Sequence, residues 1–182
     1  IGDDRALACA KRIGDLLNDF FSKRTIASTG SPEMNQAVVH GLALLYKETG
    51  EKRYLEAAER VVQEFSAEGA GNYLQGALAG EEFHQLPFAG PRWESLHPIM
   101  GLAELHWLTG NKDYKKAFEH LYWSIAKTDR HNNGGFSSGE QAQGNPYHRG
   151  AIETCCTIAW MAMGVEMLKL TAKSAGQPIR EI

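Results

Sequence analysis

Two carboxylates and two thiols lie close together in the second half of the chain. Glu140 follows a glycine-rich run at 132–139, and Glu153 precedes the adjacent pair Cys155 and Cys156. Glycines allow the backbone to approach a ligand closely, so Glu140 is a candidate general acid or base if a dry pocket raises its pKa. The local sequence is equally compatible with an ordinary solvated loop glutamate.

The spacing of Glu153 and Cys155 limits how they can act together. Residues two apart in a regular helix point to nearly opposite faces, so this pair can reach one metal ion only if Glu153 stands at the start of a helix. A carboxylate and a thiolate supply half of a tetrahedral zinc shell. In the alternative reading, which the local sequence favours, Glu153 caps the helix and the two cysteines are small core residues. Cys9 is too distant in sequence to complete a disulfide framework.

Apolar residues recur at helical spacing along most of the chain, without the alternation typical of strands, and this predicts an all-α fold. Gly50 and Gly110 offer left-handed C-caps. The predicted helices are 5–22, 32–49, 52–67, 97–109, 112–128 and 152–171.

An internal repeat organises these helices. The segment 45–50, with Tyr54 and Ala57, matches 105–110, with Tyr114 and Ala117, at an offset of 60, and 167–172 is a fainter third copy. Each unit is a helix, a Thr-Gly turn and a returning helix. A single hairpin cannot bury its apolar face, so neighbouring hairpins must stack.

Long loops at 68–93 and 129–150 separate the hairpins, and loops of this length in a compact domain are usually functional. Hairpins joined at one rim by such loops predict a single domain at 1–182 that forms a partial (α/α) toroid. About three of the six hairpins of a complete ring are present.

The composition excludes some partners. With a formal net charge of -3 and Lys and Arg spread along the chain, there is no basic patch for nucleic acid. No segment is expected to approach the apolar length that crosses a bilayer, so no membrane insertion is predicted. The cellular compartment stays open.

Several motifs together resemble one enzyme family. They are Gly134-Gly135 followed by Gly139-Glu140, then Glu153-Thr154-Cys155, the segment 34–36, and the repeated Thr-Gly-x-x-x-Tyr hairpins. The combination is similar to the bacterial β-L-arabinofuranosidases of glycoside hydrolase family 127 and covers most of the chain. Six-hairpin toroidal glycosidases share the hairpin signature, whereas the order of the Gly-Gly, Gly-Glu and Glu-Thr-Cys motifs is more particular to this family.

The resemblance implies a role for each matching residue. Glu140 falls where the family has its general acid/base, and Glu153 and Cys155 fall where it has a Glu and a Cys that bind zinc. His97 looks like a substrate-pocket histidine, with an ordinary position at the start of a helix as the alternative. Asn35 matches an Asn near the pocket, where an amide suits hydroxyl recognition.

The tryptophans divide between helices and loops. Trp107, Trp123 and Trp160 lie within helical periodicity and are expected in the core. Trp93 lies in a rim loop and is the first candidate to stack on a sugar face, although a loop aromatic can equally pin the loop.

The family nucleophile has no counterpart in this sequence. In the family it is a zinc-bound cysteine of a second Cys-Cys pair, downstream of the Glu-Thr-Cys segment, and Cys156 belongs to the first motif instead. The resemblance therefore implies a glycoside hydrolase fragment for L-arabinofuranoside-like sugars that cannot complete retaining hydrolysis alone.

A second class of function remains open, a non-catalytic helical-repeat module that binds carbohydrate or protein. Zinc bound through Cys155 would separate the enzyme fragment from the binding module. In both readings an incomplete ring leaves apolar hairpin faces uncovered, which predicts self-association or reliance on a missing C-terminal domain.

Overall fold

The computed structural model describes residues 2–87 and 93–174, and this part of the chain is helical, as predicted. A single isolated antiparallel bridge, between Arg130 and Phe136, is the nearest approach to a strand within these ranges. Short 3-10 turns lie at Ile26–Ser28 and Phe83–Gln85. The helices are α1 (Asp4–Lys23), α2 (Pro32–Asn35), α3 (Val38–Thr49), α4 (Lys52–Gln63), α5 (Gln75–Ala79), α6 (Trp93–Thr109), α7 (Lys112–Thr128) and α8 (Thr154–Ser174).

The two complete hairpins, α3 with α4 and α6 with α7, turn in the same way. Gly50 and Gly110 end their helices in the left-handed conformation, with φ of +68° and +74°, as predicted. In the first turn the hydroxyl of Thr49 accepts the N–H of Glu51 at 3.2 Å, and in the second Thr109 does the same for Asn111. Each turn therefore satisfies a backbone donor at the start of the returning helix.

The first helices of the hairpins stand side by side in a row, α3 against α6 and α6 against α8. The middle helix, α6, is buried on both faces, and Leu96 and Ile99 have no exposed surface. Gly101 permits the close approach of α3, since a Cβ atom there would lie 2.7 Å from Cγ1 of Val39. The amphipathic helices α1, α4 and α7 pack along this row.

The predicted helix at 32–49 is divided by a turn at 36–37, which gives α2 and α3. The side-chain amide of Asn35 donates to the carbonyl of Ser31, and that of Gln36 donates to the carbonyl of Pro32. Side chains that donate hydrogen bonds to backbone carbonyls in this way compete with the backbone hydrogen bonds that would continue the helix. The helix predicted at 52–67 likewise ends early, because the N–H of Glu64 bonds to the carbonyl of Val61 in a tight last turn.

Two tryptophans differ from expectation. Trp93 is the first residue of α6 and not a loop residue, because this helix begins one turn earlier than predicted. Trp123 is 59% exposed and therefore not a core residue, since it lies on the solvent side of α7 with its ring edge-on to Tyr122. Trp160 is buried, as expected.

The expectation that no segment is apolar enough to cross a bilayer is wrong for α8. Its span Thr154–Ala172 has the required length and a mean hydropathy of 1.2, and 39% of the segment is buried in the fold. Core helices can have the same composition, and α8 packs against both α6 and α7. The helix is apolar on nearly every side because it belongs to the row of first helices.

Candidate active site

A cavity of about 270 Å³ lies where the start of α6, the start of α8 and the 137–141 turn meet. It brings together Trp93, Glu140 and Cys155, which three separate segments contribute. Its lining also includes Met34, Glu94 and Cys156. A site built from segments this far apart in sequence depends on the stacking of the hairpins.

Glu140 stands at the tip of a tight turn with a strained backbone. Its φ is +60°, and Ser137 and Gly139 also have positive φ. Left-handed conformations are unfavourable for residues other than glycine, and they persist only where the surroundings enforce them. Here the N–H of Gly139 donates to the carbonyl of Ala151 at 2.8 Å, and that of Ser138 donates to the carbonyl of Gln141.

The base of this turn is tied to its surroundings on two sides. The Nε2 atom of His131 lies 3.1 Å from both the carbonyl oxygen of Ser137 and the hydroxyl of Ser138. On the other side, the N–H of Phe136 donates to the hydroxyl of Thr157 in the first turn of α8. The turn is thus fixed relative to the helix that carries the cysteines.

Glu153 and Cys155 lie together at the start of α8. Glu153 precedes the helix, and its carbonyl accepts the N–H of Thr157, so regular helical geometry begins only after it. The Sγ atom of Cys155 lies 3.3 Å from Oε1 of Glu153. Oxygen and sulfur ligands of one tetrahedral zinc ion are about 3.6 Å apart, so the pair has a suitable separation.

A zinc shell needs four ligands, and this pair supplies two. Among residues 2–87 and 93–174 there is no group of three or more His, Cys, Asp or Glu side chains placed to hold a metal ion. The described residues therefore bring together two candidate donors but no complete metal site.

The second cysteine of the pair has a different environment. Cys156 is fully buried, and its Sγ lies 3.9 Å from that of Cys155. Burial raises the pKa of the Cys156 thiol to about 12, and the neighbouring Cys155 thiol acts in the same direction. Cys156 is therefore a protonated core thiol at neutral pH.

His97 is not among the side chains that line the cavity, but its ring packs against that of Trp93, with the two ring centroids 5.0 Å apart. Its Nδ1 atom is 3.2 Å from Nδ1 of His40 on α3. Burial lowers the pKa of both imidazoles, that of His40 to about 4 with a further contribution from charge on His97 and Lys169. At neutral pH one neutral ring donates its Nδ1–H to the other, which fixes the tautomers of the pair.

Asn35 is not among the side chains that line the cavity. Its amide donates to the carbonyl of Ser31 at 3.0 Å and so holds α2, while its neighbour Met34 lines the cavity. Its predicted role in hydroxyl recognition stays a prediction.

Sequence reasoning missed His40, Glu94 and Asp129. Glu94 is adjacent to Trp93, and its placement follows from the early start of α6. His40 occupies the repeat position of Met100, so the repeat gave no signal for it. Asp129 binds backbone N–H groups of the loop that carries Glu140, and no motif marks it.

Comparison with protein families gives one match. Residues 1–177 match the catalytic domain of β-L-arabinofuranosidase of glycoside hydrolase family 127. No curated protein and no solved structure matches the chain. The family domain is a helical toroid, and the row of hairpins is the arrangement expected for part of one. This chain therefore belongs to the glycoside hydrolase family 127 of β-L-arabinofuranosidase catalytic domains.

Proposed function

We propose that this chain carries the acid/base side of a glycoside hydrolase site for L-arabinofuranoside-like sugars. Family membership supports an arabinofuranosidase-like hydrolase. The observation that carries the finer proposal is the placement of Glu140, Trp93 and Cys155 around one cavity.

Glu140 is the proposed general acid/base. In the protonated form it would donate its proton to the glycosidic oxygen as the bond to the sugar breaks, and as a carboxylate it would accept a proton from water in the second step. The ring of Trp93, 40% exposed, offers an apolar face for the sugar. His97, which contacts His40, packs against that ring.

Glu153 and Cys155 are the proposed zinc ligands of this chain. A bound zinc ion would lower the pKa of a coordinating thiol and so favour its thiolate form. We expect this polypeptide to bind both a metal ion and a sugar.

The metal half of the proposal is tested with Co²⁺, whose thiolate complexes absorb in the near ultraviolet. We expect one Co²⁺ or Zn²⁺ per chain, and we expect both Cys155→Ser and Glu153→Gln to weaken binding by about 10-fold or more. Cys9→Ser is the matched control, because Cys9 is an exposed cysteine on α1. Equal loss of metal in the Cys9 variant, or no binding by the native chain, would contradict the assignment.

The sugar half is tested by titration with a methyl β-L-arabinofuranoside followed by nuclear magnetic resonance of the ligand. Trp93→Ala is expected to weaken binding by about 10-fold, whereas Trp123→Ala on the far side of α7 is expected to have no effect. Sugar binding that needs neither metal nor Glu140 would instead support the carbohydrate-binding module.

A further inference from the structure

One position of the repeat contributes three side chains to the wall of the cavity in the candidate site. Met34, Glu94 and Cys156 all line this cavity, and they are separated by 60 and 62 positions, the offsets of the repeat. They belong to α2, α6 and α8, and each lies in the first turn of its helix. The cavity is therefore enclosed where three neighbouring repeats begin.

Glu94 differs in chemistry from the other two members of this set. Cys156 is a fully buried thiol, and Met34 is apolar. Glu94 is half-buried, and a carboxylate loses favourable hydration there that a thioether or a neutral thiol would not lose. Since uncharged side chains meet the packing needs of this position in the other two repeats, the carboxylate indicates contact with a ligand.

Two aromatic side chains of α6 flank Glu94. Trp93 precedes it, and the exposed ring of Trp93 lines the same cavity. His97 lies on the next turn, and the charge of Glu94 acts to raise the pKa of its imidazole, against the larger effect of burial, which lowers that pKa. The carboxylate therefore lies near His97. Because a carboxylate has about four lone-pair sites, one neighbouring imidazole leaves acceptors for a ligand in the cavity.

We propose that Glu94 is a substrate-binding residue of this site, and that its carboxylate accepts hydrogen bonds from hydroxyl groups of the sugar that packs on Trp93. The inference rests on the proposed function, because it takes the ligand of the cavity to be a sugar ring. Hydroxyl groups on adjacent carbons of such a ring can donate to both oxygens of one carboxylate. Glu94 then fixes the orientation of the ring on the apolar face of Trp93, while Glu140 is left to transfer the proton.

The assignment is tested with methyl β-L-arabinofuranoside and its 2-deoxy and 3-deoxy analogues. Each ligand is titrated in the presence of Zn²⁺ and followed by nuclear magnetic resonance. We expect the native chain to bind at least one deoxy analogue about 10-fold more weakly than the parent glycoside. Glu94→Ala is expected to weaken binding of the parent by about 10-fold or more, but to have little effect on that deoxy analogue, because the hydroxyl group that Glu94 binds is already missing.

Three further variants serve as controls. Glu94→Gln retains one acceptor oxygen and is expected to lose less affinity than Glu94→Ala. Trp93→Ala is expected to weaken binding of all three ligands by a similar factor, because stacking does not depend on one hydroxyl group. Glu48→Gln removes the same charge from an exposed position in the last turn of α3 and is expected to bind all three ligands as the native chain does. Far-ultraviolet circular dichroism confirms that each variant is folded.

The outcomes separate this inference from the proposed function. If Glu94→Ala binds the parent glycoside as tightly as the native chain, or loses the same factor for the parent and both deoxy analogues, the inference is overturned and the proposed function stands. Methyl α-L-arabinofuranoside and methyl β-D-xylopyranoside are titrated as second probes. Binding of one of these in place of the parent, lost in Glu94→Ala, would support the role of Glu94 and contradict the proposed substrate. Binding of none of the glycosides by the native chain would overturn both.

Discussion

The carboxylate of Asp129 accepts a hydrogen bond of 2.8 Å from the N–H of Gly144 and a second from the N–H of Gln143. Its other oxygen accepts the hydroxyl of Thr128, and the side chain is 2% exposed. His84 closes over the opposite side of Gly144, where a Cβ atom would lie 2.6 Å from its ring. The loop that follows Glu140 is therefore held between Asp129, at the end of α7, and His84, in the 3-10 turn Phe83–Gln85.

Replacement of Asp129 by alanine should weaken the attachment of this loop to the end of α7. The change leaves two N–H groups of the loop without an acceptor, and we expect the free energy of unfolding to fall by about 2–4 kcal/mol. Hydrogen exchange should increase most between residues 137 and 144. Asp129→Asn retains one carbonyl acceptor and should lose less than half as much. Equal exchange in the native chain and in the alanine variant would show that the loop does not depend on Asp129.

The repeat supplies a matched pair of glycines in α3 and α6. Gly101→Ala places a methyl group against Cγ1 of Val39 at 2.7 Å and against the backbone N of His40 at 3.1 Å. Because the neighbours include backbone, we expect unfolding free energy to decrease by about 1–3 kcal/mol, measured by urea denaturation at low micromolar concentration.

Gly41→Ala is the control at the equivalent position. It meets no atom within 4 Å, so the better helix propensity of alanine should leave stability unchanged or raise it by about 0.5–1 kcal/mol. If both alanine variants lose the same stability, the close approach of α3 to α6 is not the cause.

The repeat made much of the fold predictable, because its signal is local. The Thr-Gly turns need only a few neighbouring residues, and α7 begins and ends where its periodicity indicated. The division of the predicted helix at 32–49 could not be read in the same way. It depends on whether the amides of Asn35 and Gln36 turn back onto carbonyls, and hydropathy carries no information on that choice.

Short motifs pointed to the candidate residues of the site, but not to the side chains that contact them and hold them in position. Glu140, Glu153 and Cys155 stand in short motifs that identify them as candidates, and their roles stay a prediction. His40 pairs with His97 across 57 positions, and such a contact exists only because α3 and α6 stack. Short motifs identify side chains that can react, whereas the packing of the helices decides which other side chains hold them in place.

The three cysteines should differ in their reaction with iodoacetamide. Cys9 is exposed, while Cys156 is fully buried with its pKa raised to about 12 by burial. Because the thiolate is the reacting form, Cys9 should be alkylated at least about 100-fold faster than Cys156 in the native chain at pH 8. Peptide mass mapping at timed quenches gives the three rates.

Zinc should slow the alkylation of Cys155 alone. Coordination removes the thiolate from reaction, and Cys9 acts as the internal control in the same sample. Equal slowing at Cys9 and Cys155 would indicate a nonspecific effect of the metal, and no slowing at either cysteine would count against coordination by Cys155.

The pair of His40 and His97 should make stability depend on pH in the acid range. Burial, with charge on His97 and Lys169, lowers the pKa of His40 from 6.5 to about 4. Between pH 6.5 and pH 4, His40 is protonated in the unfolded chain but neutral in the folded chain. The contribution of His40 to stability is therefore complete above about pH 6.5 and is lost as the pH decreases toward 4. The full difference is worth about 3 kcal/mol for His40.

His40→Gln tests this dependence, because glutamine keeps polar atoms near His97 but does not titrate. Urea denaturation at several pH values between 7 and 4 should show a smaller loss of stability for the variant than for the native chain. The lowered pKa of His97 acts in the same direction, so some of the dependence should persist in the variant. Parallel pH profiles would mean that His40 is protonated as easily in the folded chain as in the unfolded chain, and would contradict a neutral pair of His40 and His97.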